Sequence, residues 1–163
     1  MNETKTIALV AHDACKADLV AWVEFNYKLL MQHHLICTGT TGMLVEGTLA
    51  KKLAADGAKI GEDLGILKLK SGPLGGDQQI GAMIAEGKID VLIFFWDPME
   101  PHPHEVDVKA LLRIAVVYNI PVACNRSSAD FMVSSQLMQQ EYTSVQKDYG
   151  DYLKRSVVPP SRT

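Results

Sequence analysis

The chain has 163 residues, of which 47% are hydrophobic and 21% are charged, and this predicts one globular domain with an apolar core. A formal net charge of -3 leaves no excess of basic residues of the kind that binds nucleic acid or an anionic membrane. Three scattered cysteines, Cys15, Cys37 and Cys124, fit neither a zinc site nor a disulfide framework, so we expect reduced thiols in a cytosolic protein.

The first residues, MNETKTIALVAHD, enter a strand-like run and lack the long apolar core of a signal peptide. No apolar stretch approaches the roughly 18 residues that a transmembrane helix needs. We therefore expect a protein without a leader or a membrane anchor.

Five short runs rich in β-branched and apolar residues predict strands. They are TIALVAH (6–12), HLICTG (34–39), ILKLK (66–70), VLIFFW (91–96) and IPVAC (120–124). Several of these runs are apolar on both faces, which is typical of a parallel sheet covered by helices on both sides.

Amphipathic stretches between and after the strands predict helices at about 14–31, 42–55, 77–87, 106–118, 127–140 and 141–155. Strands that alternate with helices predict right-handed βαβ units, and hence a doubly wound α/β sheet. We expect residues 1–163 to form a single domain with its core at about 5–155. Residues 54–65 are predicted to form a surface loop, and residues 156–163 a frayed tail.

Polar, small and titratable residues follow four of the predicted strands. They are His12-Asp13 and then Lys16; TGTTG (38–42); SGPLGGD (71–77); and Asp97-Pro98 followed by His102, His104, Glu105 and Asp107. Ligands of an open α/β sheet bind beyond the carboxyl ends of its strands. This edge of the sheet is therefore the predicted ligand site.

The segment TGTTG presents Thr38, Thr40 and Thr41, with Gly39, just before a predicted helix. Hydroxyls and backbone N–H groups at a helix N-terminus suit a phosphate, but a plain strand-to-helix turn with a Thr cap explains the same residues. No Gly-Lys-Ser/Thr follows, which disfavours a nucleoside triphosphate.

A second small-residue segment, Ser71-Gly72, follows a neighbouring strand, and two such segments favour a phosphate site more than either does alone. Lys16 is either the countercharge for that phosphate or a solvated helix residue.

Asp77 follows Gly75-Gly76 at the start of a predicted helix. This position suits an N-cap. The neighbouring glycines, phosphate segments and histidines instead suggest a carboxylate that removes a proton α to a bound carbonyl group. Both interpretations remain open at this point.

The other titratable residues each have two or more interpretations. His102 and His104 have the spacing of metal ligands, but no further ligand set accompanies them; His104 is otherwise an active-site group or a surface residue. His12 faces a ligand or is a buried polar group. Asp97 suits a turn, and Asp13 and Asp107 suit helix caps.

Four segments together resemble the methylglyoxal synthase family, which converts dihydroxyacetone phosphate to methylglyoxal and phosphate. They are IALVAHDACK, TGTTG, SGPLGGDQQIGAMIAEGKIDVLIFFWDP and HPHEVDVKALLRIA. The likeness runs from about residue 5 to about residue 133. It implies a Rossmann-like, five-stranded parallel sheet in a cytoplasmic homohexamer that needs no metal or organic cofactor.

The resemblance also implies roles for individual residues. Asp77 and His104 match the catalytic positions. The substrate-binding positions are matched by His12, Lys16, Thr38, Gly39, Thr40, Thr41, Ser71 and Gly72. Supporting roles near the site fall to Asp13, Asp97 and Asp107. Two departures stand out: the segment between Gly42 and Ser71 is about a dozen residues longer than in short members, and a basic position near Arg155 does not align.

Two alternatives to the synthase follow from other classes of protein. The same fold serves in larger synthetases as a module that binds a phosphorylated effector, and such a module needs neither Asp77 nor His104. A metal-dependent lyase of the aldolase type requires a ligand set that the sequence does not supply. A free-standing chain with both residues favours the enzyme.

Overall fold

The computed structural model describes residues 1–57, 63–101 and 103–154. Five parallel strands form one sheet in the order β3-β2-β1-β4-β5. Their bounds are Thr6–Ala11 (β1), His34–Thr38 (β2), Leu67–Leu69 (β3), Val91–Phe95 (β4) and Val122–Ala123 (β5). The predicted doubly wound parallel α/β sheet is confirmed. The strand order reverses at β1, so the carboxyl ends of β1 and β4 form the crevice in which this class of fold binds ligands.

Six α-helices connect or follow the strands in the described part of the chain. They are Lys16–Leu30 (α1), Gly39–Ala55 (α2), Gly76–Ala85 (α3), Glu105–Val117 (α4), Arg126–Val133 (α5) and Gly150–Leu153 (α6). Three short 3-10 turns lie at Asp13–Cys15, Gly72–Leu74 and Gln136–Met138.

Alternate residues of β1 point into two separate apolar cores, as the period of a strand requires. Ile7 and Leu9 pack with α1, α2 and α5, where Trp22 is fully buried. Ala8 and Val10 pack with α3 and α4 on the opposite face. Both faces of the sheet are thus covered, which is why its central strands are apolar throughout.

Helix α2 begins earlier than the sequence predicts. Strand β2 ends at Thr38, whose extended backbone makes it the N-cap, and the helix starts at Gly39 rather than at residue 42. Thr40 and Thr41 therefore belong to the first turn of a helix and not to a loop. This places their backbone N–H groups among those that lack a partner within the helix.

The predicted helices near the C-terminus are only partly correct. The stretch 127–140 divides into α5 and a 3-10 turn, because the Ser135 hydroxyl accepts a hydrogen bond from Leu137 N and competes with the helix. The helix predicted over 141–155 is wrong for residues 141–149, which have no regular secondary structure. Val145 is 82% exposed, so this segment buries no apolar face of the kind that stabilises a short helix. The predicted tail, 156–163, and residues 58–62 of the predicted loop lie outside the described residues.

At the amino ends of the strands, opposite the ligand crevice, a buried lysine joins three segments of the chain. Lys5 is 1% exposed, and its ammonium donates to the backbone carbonyls of Asn2 and Gln140. Its backbone N–H donates to His33 Nδ1 at 3.2 Å. Burial, together with the positive charge of Lys5, lowers the pKa of His33 below its ordinary value of 6.5.

We predict that His33 makes folding sensitive to mild acid. Since its pKa is lowered in the folded state, its contribution is complete above its ordinary pKa of 6.5 and is lost as the pH falls below that value. The free energy of unfolding, measured with urea, should fall between about pH 7 and pH 5, and less so in His33→Asn, whose side-chain oxygen accepts without titrating. His34→Asn, at the exposed neighbouring position, is the matched control, and an equal slope for wild type and His33→Asn would contradict the prediction.

Candidate active site

A cavity of about 470 Å³ opens beyond the carboxyl ends of β1 and β2. It collects ten of the residues to which the sequence assigns a role in the site. They are His12, Asp13, Lys16, Thr38, Thr40, Thr41, Ser71, Gly72, Asp77 and His104. The strand ends thus bring together residues from four separate segments of the chain.

One part of the cavity is built around a cation. Lys16, the first residue of α1, directs its ammonium to Asp13 Oδ1 and to Thr40 Oγ1, each at 2.5 Å. Thr40 lies in the first turn of α2, and Thr38 Oγ1 donates to Thr41 Oγ1 at 3.5 Å. A lysine, several hydroxyls and the N-terminus of a helix together suit the oxygens of a phosphate.

Glycines on α2 and α3 let the segment Lys70–Gly72 approach both helix N-termini. Gly39 N donates to Lys70 O at 3.2 Å, and a Cβ on Gly39 would lie 2.9 Å from Ser71 N. A Cβ on Gly76 would overlap the carbonyl oxygen of Lys70. Any side chain at either position would therefore displace Ser71 from the cavity.

Asp77 and His104 lie close together in the cavity wall. The distance from His104 Nε2 to Asp77 Oδ2 is 3.6 Å, and the two side chains are 11% and 1% exposed. Gly75, with a φ of 98°, is the N-cap of α3, no side chain caps this helix, and Asp77 Oδ2 accepts no hydrogen bond from the described residues. The interpretation of Asp77 as a helix cap is therefore wrong.

The surroundings of Asp77 make its carboxylate more basic. Burial raises the pKa of Asp77 above the ordinary 3.8, the nearby His104 opposes this shift, and the negative charge of Asp107 adds to it. A buried carboxylate that is poorly solvated is suited to accept a proton from carbon.

His12 occupies the end of β1 and is 6% exposed. Its ring lies edge-on to that of His104, with centroids 5.7 Å apart, and edge-on to Phe94, at 5.1 Å. Its backbone N–H continues the β1–β4 ladder to Phe95 O at 3.1 Å. The pairing of the two central strands therefore fixes where His12 enters the cavity.

Three described residues to which the sequence assigns a role in the site, Gly39, Asp97 and Asp107, do not line this cavity. Gly39 acts through its close approach to Ser71. Asp107 faces a separate groove between α3 and α4, on the far side of Asp77. The Asp97 carboxylate accepts from Met99 N instead. His102 lies outside the described residues.

The residues of the cavity wall to which the sequence assigns no role include Glu100 and Pro103. Both belong to the loop that follows β4, so the rule of strand ends covers them. They were not predicted as site residues because neither glutamate nor proline is a residue type that binds an anion.

Within residues 1–57, 63–101 and 103–154, no three His, Cys, Asp or Glu side chains are grouped closely enough to hold a metal ion.

No described helix combines the length and the apolarity that spanning a membrane requires.

Comparison with known proteins gives one consistent family. The MGS-like domain family matches residues 18–124. A methylglyoxal synthase from Maridesulfovibrio salexigens is 52% identical over 96% of this chain and 100% of its own length. Another from Cellvibrio japonicus is 54% identical over 93% of this chain and 90% of its own length.

A solved structure gives the same result. The crystal structure of methylglyoxal synthase from Elizabethkingia anophelis superimposes with a TM-score of 0.85 at 49% identity, over 99% of this chain and 97% of that one. The likeness extends over nearly the whole length of each relative and is not confined to a module of a larger protein. The chain belongs to the methylglyoxal synthase family.

Proposed function

We propose that this protein converts dihydroxyacetone phosphate to methylglyoxal and inorganic phosphate. One observation carries the proposal: a buried carboxylate, Asp77, lies 3.6 Å from His104 in the same cavity as Lys16 and the threonines at the start of α2. The first pair suits proton transfer, and the second group suits a phosphate. A substrate that needs both is a phosphorylated carbonyl compound with an acidic C–H bond.

The first step is proton abstraction. Asp77 takes a proton from the hydroxymethyl carbon, and the electrons of the C–H bond form an enediolate with the carbonyl. The raised pKa of Asp77 favours this transfer, because a carboxylate that holds its proton more strongly is a stronger base. His104, whose Nε2 borders the same space, stabilises the charge on the enediolate oxygens or passes a proton between them.

The second step is elimination of phosphate. The oxygen on the carbon that lost the proton forms a C=O bond, and the electrons of the enediolate C=C bond shift to form a new C=C bond to the phosphorylated carbon. The C–O bond to phosphate breaks, and phosphate leaves with the electron pair of that bond. This requires the C–O bond to stand perpendicular to the enediolate plane. We assign the control of this torsion, and the binding of the leaving phosphate, to Lys16, Thr38, Gly39, Thr40, Thr41, Ser71 and Gly72. The released enol then rearranges to methylglyoxal, and Asp77 gives up its proton.

We further propose that the protein acts in the cytoplasm as a homohexamer, as the family resemblance implies. Large apolar side chains on its surface support association of copies, since Phe25, Val116 and Phe131 are each at least 75% exposed. Burial of such side chains between subunits is favourable.

Purified protein supplied with dihydroxyacetone phosphate should release methylglyoxal and phosphate in equal amounts, with or without excess chelator. The two products are measured separately, as a dicarbonyl derivative and as phosphate. Absence of the dicarbonyl product would favour an effector-binding module. Loss of activity only in chelator would favour a metal-dependent lyase.

Asp77→Asn should lower kcat by about 10²–10⁴-fold, because the variant has no base for the C–H bond. It should still bind a phosphate-bearing substrate analogue, as measured by calorimetry. A variant that keeps its turnover would rule out Asp77 as the base.

The same Asp77→Asn variant should have a higher free energy of unfolding than wild type at neutral pH. Since burial raises the pKa of Asp77, the folded state favours the protonated acid, and the ionised form lowers the free energy of unfolding as the pH rises above about 3.8. The difference between the variant and wild type should therefore shrink in acid, as followed by urea unfolding at several pH values.

Gly72→Ala should lower kcat/KM by about 100-fold, because its methyl group would lie 3.0 Å from both Asp77 Oδ2 and His104 Nε2, where the reacting carbon must fit. Gly47→Ala is the matched control, since a Cβ at Gly47 on α2 meets no atom within 4 Å. Steady-state kinetics of the two variants test this, and equal activities would contradict the steric role of Gly72.

A further inference from the structure

We propose that Asp97 is a positioning residue for this reaction, which acts by fixing the tautomer of His12 and not through its negative charge. The inference rests on the proposed function for its catalytic consequence. Its structural basis is a pair of hydrogen bonds beyond the carboxyl end of β4.

The first hydrogen bond joins the backbone of Asp97 to His12. Asp97 N donates to His12 Nδ1 at 3.2 Å. A backbone N–H can only donate, so Nδ1 must present its lone pair, and the proton of the neutral imidazole is then assigned to Nε2. Pairing of β1 with β4, through Ala11 opposite Phe95, brings the two residues together.

The second hydrogen bond holds that N–H in place. Asp97 Oδ1 accepts from Met99 N at 2.9 Å, which closes an Asx turn across Pro98. The proline restricts the backbone between the two bonded residues. The carboxylate is therefore directed into its own turn, and Asp97 is absent from the cavity lining. Its charge acts elsewhere. Burial raises the pKa of the Cys15 thiol, and the negative charge of Asp97 raises it further.

The consequence for the site is a fixed donor. His12 lines the same cavity as Lys16 and Asp77, so a substrate bound there meets this histidine. With its proton on Nε2, His12 donates to an oxygen of the substrate and does not compete with Asp77 as a base. A neutral donor that is already aligned stabilises the negative charge that develops on the enediolate oxygens.

Two substitutions separate the turn from the charge. Asp97→Asn keeps an oxygen that accepts from Met99 N but removes the charge, whereas Asp97→Ala removes both. We expect Asp97→Asn to retain kcat/KM within about twofold and Asp97→Ala to lose about tenfold, the usual effect of one hydrogen bond. Equal losses in the two variants would show that the charge is required and would overturn the proposal.

The tautomer itself is measured without turnover. In ¹⁵N-labelled wild type and Asp97→Asn, His12 should show an unprotonated Nδ1 and a protonated Nε2 by NMR, whereas Asp97→Ala should show a mixture. The His12 signals are identified by their loss in His12→Gln. An unchanged tautomer in Asp97→Ala would overturn the proposal. A wild type that makes no methylglyoxal but has the expected tautomer would refute the proposed function alone.

A double-mutant cycle tests whether Asp97 acts through His12. In the His12→Gln background, Asp97→Ala should cause less than about a twofold further loss in kcat/KM, because the group that it positions is already absent. A full tenfold loss in that background would show an independent role for Asp97 and would overturn the proposal. Urea unfolding of each variant confirms that the proteins compared are folded.

Discussion

The close approach of the Lys70–Gly72 backbone to two helix N-termini is the constraint on which the site depends. The hydrogen bond from Gly39 to Lys70 draws this segment against the start of α2, and the missing side chain of Gly76 lets it lie against α3. This spacing brings Gly72 close to Asp77 and His104 while Ser71 lines the same cavity. Under the proposed function, phosphate binding and proton transfer both depend on this three-residue segment, because close packing transmits a displacement from one of its ends to the other.

Under the proposed mechanism, the burial of Asp77 links catalysis to stability. The low exposure that makes the carboxylate basic also makes its ionised form unfavourable in the folded protein. Two apolar cores, on opposite faces of the sheet, stabilise the fold sufficiently to retain such a group. We expect the protein to have a lower free energy of unfolding than the same fold with a neutral residue at this position.

Much of this arrangement could be predicted from sequence because strand ends of a parallel sheet meet at one edge. That rule is sufficient to place Lys16, Asp77 and His104 in one cavity without any knowledge of packing. It does not decide whether Asp107 lines the cavity or, as observed, a neighbouring groove that also borders Asp77, since a helix position after a loop depends on the rotation of that helix against α3. The rule also does not say whether Asp97 contacts His12 through its side chain or its backbone, because the turn from Asp97 to Met99 decides this. The helix predicted over 141–155 is absent at residues 141–149. A periodic pattern of apolar residues does not reveal whether the protein offers a surface against which such a helix can pack.

Under the proposed function, the pairing of Lys16 with Asp13 has a consequence for turnover. Asp13 is 92% exposed, so the ammonium already has a solvent-exposed anionic partner before any phosphate arrives. Binding of phosphate is then an exchange of one anion for another and not the neutralisation of a bare cation. Such an exchange reduces the affinity gained from Lys16, because the carboxylate must be released to water. The same carboxylate can return to Lys16 when phosphate departs, which favours the release of phosphate.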